Sequence, residues 1–345
     1  LTMTNRIRYG AKVLRLHKAI SAPQFEVKTV LTNDPFVYVD LWLRRNHKDE
    51  ALFYWRQAHE FYKASIGLPI ESAPLVLYYC FMNAAKALLS AKGQQFSPHH
   101  GVSRHQMRGP NAKVVLSNEG IAIKPAGIVP ALSVYFSEQE TRQQHSLEDV
   151  LYNLAYIHRT YCLSYPRKPE RFLPLKDLSF IRDANNEVRF FARPVDEANW
   201  TQFKKNLPQE LAANPDGSKS LVSSGHVVWA TQNAPTTAEL DSLRQLSATL
   251  RKVIHYINGA NALWYVKLKH KTSIGRQSIT LTLAAMHRLS EICRYRPDEL
   301  LSFLNGQKNW LLSEFLSTSR TQFIDEIACE MTGQQIMIPN VRIPS

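Results

Sequence analysis

The residues best placed to do chemistry in this chain are clustered histidines and arginines. His99, His100 and His105 lie close together, with Arg104 and Arg108 among and beside them. Imidazoles titrate near neutral pH, so such a group can move protons, ligate a metal or meet an anion. A metal needs a third or fourth ligand of suitable type, and no Asp, Glu or Cys lies inside the cluster. The expectation is therefore a solvated, anion-contacting loop, with no metal and no cofactor.

A second pairing is Arg251 and His255, separated by three residues in "RKVIH". On a helix that spacing sets a cation and an acid/base group on one face, as phosphodiester cleavage requires. HEPN-type ribonucleases carry an Arg followed after four to six residues by a His, and this pair misses that pattern. No phosphate-cradling Gly loop, nucleophile elbow or dinucleotide fingerprint occurs either. Arg251 and His255 are the weak catalytic candidates that remain.

Charge provides the strongest feature. The chain has a net charge of +13. Residues 251–296 hold nine Lys or Arg against one acid, Glu291, which is more than half of that excess. If "WYVKLKHK" is a strand, Lys267, Lys269 and Lys271 share one face, with Trp264, Val266 and Leu268 on the other. With Arg276, Arg294 and Arg296 they form a candidate surface for nucleic acid or another polyanion, or for an acidic protein partner.

The third candidate lies on a helix. In "ESAPLVLYYCFMNAAKALLSAKG", Tyr79, Asn83 and Lys86 follow one another at spacings of four and three. They read either as the solvent side of an amphipathic helix or, with His99 and His100, as a polar pocket for an anion.

These residues need elements to position them. Helices are expected over 50–66, with Leu52, Trp55, His59 and Tyr62 on its stripe, and over 72–92, with Leu75, Tyr78, Met82, Ala85 and Leu89. Gly67 and Gly93 close them, and the short link makes an antiparallel hairpin that buries Trp55, Tyr62, Tyr78 and Met82. Further helices are expected over 146–163, over "TAELDSLRQLSATLRKVIHYI" as far as Asn258-Gly259, over "QSITLTLAAMHRLSEICRY" and over about 308–332. Tyr295 continues the stripe of Leu289 and Ile292 and is expected to be buried. A strand is expected at "FVYVDLWL", and hairpins at "KVVLSNEGIAIK" and around "ANNE". Residues 208–238 read as an exposed loop around "GHVVWA".

Composition agrees with a folded globular chain, 44% hydrophobic. The four cysteines, Cys80, Cys162, Cys293 and Cys329, lack paired spacing, so reduced thiols are expected. No signal peptide is read at the start, and the longest apolar run is broken by Asn83 and Lys86. A cytoplasmic protein without a membrane segment is the expectation.

The stretch "YWRQAHEFYKASIGLPIESAPLVLYYCFMNAAKALLSAKG", followed by "HHG", resembles the amino-terminal core of the bacterial YaaC-like family. There an aromatic-rich helix, a Pro-containing link, a second helix and a His-Gly pair follow one another. "AAMHRLSEICRYRPDEL" is similar to the same family's helix ending in an Arg-Tyr-x-Pro element. The resemblance covers about 50–101 and 255–332. It implies an architecture and a compartment but no biochemical activity.

The expected fold is mainly α with short β-hairpin insertions (α+β), built on an antiparallel helical core. Residues 1–49 are read as an extension packing on that core. Residues 50–335 form the helical domain with a decorated middle, 110–235, and 336–345 a tail. The preferred function is a binding module with a basic surface; the alternative is a nuclease-like enzyme.

Overall fold

A computed structural model describes residues 6–109, 115–232, 234–259, 262–306 and 309–339. The chain opens with short paired strands and then enters helix α1 (Pro35–Arg45), α2 (Asp49–Ser65) and α3 (Ala73–Ala91). Strands β1 (Val102–Gln106) and β2 (Glu119–Ile123), α4 (Ile128–Tyr135), β3 (Gln144–Ser146), α5 (Leu147–Tyr152) and α6 (His158–Ser164) follow. Next come the long strands β4 (Phe172–Arg182) and β5 (Glu187–Pro194), three short strands, and helix α7 (Thr237–Arg251). Strands β6 (Ile254–Ile257) and β7 (Leu263–Lys267) lead to α8 (Ser278–Tyr295), α9 (Pro297–Leu304) and α10 (Asn309–Thr332). The fold is mixed α+β. Among the described residues no helix is long and apolar enough to cross a membrane.

The chain divides into two compact units. The helical unit is made of residues 32–169 and 272–332, and the sheet unit of the segment ending at Leu31, residues 170–271 and the segment from Gly333.

In the helical unit, α3 is the central element. Fourteen of its residues are buried, among them Leu77, Tyr78, Phe81, Asn83 and Leu88. A helix apolar nearly all round belongs inside a protein, and α3 packs against α2, α4, α8 and α10. Its contacts with α2 pair Glu50 with Ser90, Tyr54 with Lys86 and Phe61 with Tyr79, so one number falls as the other rises. Of the residues expected in this interface, Trp55, Tyr78 and Met82 are buried and Tyr62 is half-buried. Strands β1, β2 and β3 form a three-stranded antiparallel sheet in that order.

The sheet unit carries an antiparallel seven-stranded sheet. Its order is β6, β7, β4, β5, then Leu221–Ser223 and Leu211–Ala213, with Val227–Val228 also paired to β5. The expected hairpin around "ANNE" is β4–β5. Asp183 Oδ1 accepts from the backbone N–H groups of Asn185 and Glu187, each at 2.9 Å, and Asn186 takes the left-handed conformation at φ 60°. Helix α7 packs Leu240, Leu243 and Leu250 into a core with Leu175, Phe180 and Phe190. It starts in a capping box between Thr236 and Glu239. Burial pushes the Glu239 carboxyl up, but hydrogen bonds from the Thr236 and Thr231 backbone and hydroxyl groups hold it down at about 2.

Several expected elements take another form. "FVYVDLWL" is helical: Asp34 accepts from the Phe36 N–H at 2.8 Å, Pro35 occupies the first turn, and Phe36, Val39 and Leu43 are buried at helical spacing. The expected 146–163 helix is broken into α5 and α6 around Asn153 and Leu154. The strand β2 pairs with β1, the strand after "HHG". The expected first arm begins at residues 113 and 114, outside the described residues, as does residue 308 of the last helix. Residues 208–238 hold three short strands where one was expected. In the expected tail, Ile336–Met337 pairs in parallel with Val30–Leu31, and residues 340–345 lie outside the described residues. All four cysteines are reduced thiols; Cys80 and Cys329 are buried, Cys162 and Cys293 half-buried.

Candidate functional site

Three segments of the helical unit meet at a small aromatic and polar cluster. Helix α3 supplies Tyr78, α8 supplies His287, and the loop leaving α3 supplies His100. The Tyr78 hydroxyl makes a short hydrogen bond to His100 Nδ1. Ring centroids are 5.5 Å apart for Tyr78 and His100, 5.0 Å for Tyr78 and His287, and 5.1 Å for His100 and His287. Tyr78 and His287 are buried, and His100 covers them from the exposed side.

Burial sets the protonation of this cluster. It pushes the Tyr78 phenol up, with Tyr79 and Glu291 adding to the effect. It pulls His100 down and takes His287 down to about 3, where His100 and Arg288 also act. At neutral pH the phenol keeps its proton and both imidazoles are neutral. With Tyr78 donating to His100 Nδ1, the His100 proton stands on Nε2. His287 Nδ1 has no hydrogen-bond partner, and Glu291 Oε2 stands 3.8 Å from it. Lys86, two turns along α3, sits over the Tyr54 ring at 5.3 Å and opposes protonation of His100. His99 is exposed beside it.

Two glycines shape the loop. Gly101 has φ +74° and Gly127 φ +132°. A Cβ on Gly101 would lie 2.3 Å from Pro130 Cδ, and one on Gly127 would lie 2.3 Å from Gly101 Cα. The two backbones can cross only without side chains. The crossing brings the carbonyls of His99 and His100 to the start of α4, where they accept from the N–H groups of Ile128 at 2.9 Å and Val129 at 3.2 Å.

A buried ion network ties β2 to the end of α8. Glu119 is fully buried and pairs with Arg288 and with Arg296, the latter at 3.2 Å. Arg288 also meets Glu291 at 3.1 Å, and Arg296 meets Glu299. These arginines answer buried carboxylates, so the "RYRP" element fastens α8 and α9 to the sheet.

The sequence model of one family, described as YaaC-like Protein, matches residues 16–331. The chain belongs to the YaaC-like family. No curated protein and no solved structure matches it. The matched span includes the cluster, its two glycines and the Glu119 network.

Within this YaaC-like chain the expected site residues fare differently. Lys86 and His99 both act on the charge of His100, and the tyrosine that bonds His100 is Tyr78. Tyr79 stacks on Phe61 at 5.4 Å, and its carbonyl accepts from Asn83 Nδ2 at 2.9 Å. Asn83 is buried, so that side of α3 does not face solvent. Tyr78 and His287 were missed as site residues because each reads locally as an apolar-stripe position; only the position of His287 inside the family's helix marked it.

The basic segment is divided between the two units and between buried and exposed positions. Lys267 ends β7 and is buried. Lys269 and Lys271 are exposed beyond the strand, and the Lys269 N–H bonds the Asn206 carbonyl at 2.7 Å. These three lie in the sheet unit, and Arg276, Arg294 and Arg296 in the helical unit. Arg276 is buried against Glu138 at 3.2 Å and Ser133 Oγ at 2.7 Å. Arg294 is exposed and lies over the Tyr295 ring at 5.0 Å. Tyr295 is 66% exposed, against expectation, because α8 outruns its core after Ile292.

Arg251 and His255 do not share a helix. Helix α7 ends at Arg251, and His255 lies in β6. The Arg251 guanidinium is buried over the Tyr256 and Trp264 rings, each at 5.3 Å, and bonds the carbonyls of Ile254 and Lys18. His255 is buried, and burial, followed by Lys267 and Arg251, holds its imidazole well below its ordinary range.

Proposed function

We propose that this YaaC-like protein is a binding module for phosphate-bearing polyanions, nucleic acid first among them, and that the anion is met at the His-His-Gly loop. The observation that carries the reading is that Lys86 and His99 lie near enough to act on His100, whose ring packs against Tyr78 and His287. His100 presents an Nε2–H donor, Lys86 an ammonium, and β1 continues from the loop with Arg104 and Arg108 exposed. Lys269, Lys271 and Arg294 supply further exposed cations. The helices around α3 are read as an antiparallel core that holds the loop, and the cytoplasm as the compartment where such ligands are met.

Binding of labelled single- and double-stranded oligonucleotides, measured across salt concentrations, tests this. Affinity should fall with salt. The slope should become shallower in Lys86→Gln with Arg104→Ala and Arg108→Ala, by roughly one for each phosphate no longer neutralised. Lys269→Glu with Lys271→Glu forms a separate arm. Wild-type protein that binds neither oligonucleotide at low salt would end the reading and favour an acidic protein as partner.

One observation favours a nuclease-like second reading: two neutral imidazoles, His100 and His287, stand side by side with a protonated phenol. Such groups can accept and return a proton at a phosphodiester. If so, His287→Gln abolishes oligonucleotide cleavage while binding survives. Wild-type protein that leaves the strands intact removes it.

A further inference from the structure

Helix α2 shows two contrasting faces. One, with Ala51, Trp55 and Ala58, is buried in the helical unit. The other borders a groove of about 760 Å³, and among the described residues every side chain lining it comes from α2 itself. The stripe runs Asp49, Leu52 and Phe53, Arg56 and Gln57, Glu60 and Phe61, Ala64. Phe53 is 57% exposed, and Leu52 and Phe61 are half-buried, with Phe61 stacked on Tyr79. Spacings of three and four over about four turns are those of a helix that seats another helix.

We propose that this face is a homodimer interface, in which α2 of a second copy lies antiparallel across it on a two-fold axis between Arg56 and Gln57. The face is self-complementary in that sense. About that axis Leu52 faces the second copy's Phe61, Asp49 faces its Ala64, and Phe53 faces its Glu60. Arg56 of each copy then sits between Gln57 and Glu60 of the other, making the same ion pair twice, as an isologous interface requires. A parallel pair would instead set Arg56 on Arg56, Glu60 on Glu60 and Asp49 on Asp49. Arg56 is held ready by Asp40, whose carboxylate binds its Nε at 2.7 Å and leaves the rest of the guanidinium for the second copy. One helix pair of this length lies at the small end of specific interfaces, so the dimer is reversible, with a dissociation constant on the order of micromolar. This inference is independent of the anion site.

Sedimentation velocity over a range of concentrations reads it directly. Wild-type protein should pass from monomer to dimer with rising concentration. Arg56→Glu alone and Glu60→Arg alone should each weaken the dimer at least roughly tenfold, since each sets two like charges together twice. Mixed in equal amounts, the two variants should form a heterodimer of near wild-type affinity, because both ion pairs are restored, one of them in reversed sense. Circular dichroism of each variant separates a lost interface from a lost fold. Gln57→Cys, next to the axis, should form an intersubunit disulfide under mild oxidation, and Asp49→Cys, far from its own copy, should not. Protein that stays monomeric up to about 100 μM, above the range expected for an interface of this size, overturns the proposal. So does a dimer that ignores both charge reversals, or a mixture that fails to associate.

Discussion

Tyr78 and His100, 22 positions apart in sequence, are joined by a hydrogen bond that decides which nitrogen of the imidazole faces outward. The phenol is held protonated by burial and so has a proton to donate to Nδ1, which places the imidazole proton on Nε2. In Tyr78→Phe that constraint is gone. Nitrogen chemical shifts at neutral pH should show a single Nε2–H tautomer for His100 in the wild type and a mixture in the variant. The lost bond should also reduce stability by about 1 kcal/mol. Identical tautomer populations in both proteins would remove Tyr78 from any part in presenting the histidine.

How far the sequence discloses this arrangement depends on how local its cause is. The α2–α3 pair is legible because the apolar stripe of Trp55 and Tyr62, the closing glycines and the short link all act within a few residues. The β4–β5 hairpin is legible for the same reason, since Asp183 and Asn186 make the turn themselves. Helix α1 is misread where Val37 and Val39 suggest alternation, although the capping pair Asp34–Pro35 was there to outweigh it. Lys267 is misread because a strand face turns to solvent only if no other layer covers it, and that is a tertiary fact. The meeting of Tyr78, His100 and His287 has no local signal at all. It arises from the crossing of Gly101 over Gly127 and from the packing of α8 on α3.

Acid should destabilise the protein before its carboxylates are reached. Burial brings His17 down to about 3, with Lys12, Arg251 and Lys18 reinforcing it; His287 also to about 3; and His145 to about 4. Each is neutral in the folded chain and titrates near 6.5 once unfolded, so the unfolded state binds more protons between those values. Stability is therefore complete above about pH 6.5 and falls as the pH drops, by at most roughly 1.4 kcal/mol per pH unit for each histidine. The fall from His145 ends near pH 4 and that from the other two near pH 3. Urea midpoints at pH 7 and pH 5 should show it, with a smaller difference in His287→Gln. Equal midpoints at the two pH values would contradict the buried, neutral state of these rings.

The glycine crossing should be far less tolerant than other glycines with positive φ. Gly101→Ala places a methyl group against Pro130 in a left-handed backbone. Gly217→Ala, at φ +80°, meets nothing within 4 Å and carries only the conformational cost, about 1–2 kcal/mol. Thermal unfolding should show the first variant losing clearly more than the second. Comparable losses would mean that the loop yields and that the crossing is not what holds His100 over His287.

Glu119 stands between Arg288 and Arg296 and is the partner they share. Two guanidinium groups and a fully buried acid are stable together because each charge is compensated where water cannot reach it. Glu119→Ala removes the shared partner and leaves Arg288, itself buried, with Glu291 alone. The loss should be about 3–5 kcal/mol, the usual cost of breaking a buried pair from one side. Arg296→Met should cost less, since that side chain is partly exposed and Glu119 keeps Arg288. Chemical denaturation of the two variants gives the order. If Arg296→Met proved the more damaging, the network would be centred on the α8–α9 corner, with Glu299 as its principal partner, and the link to β2 would be secondary.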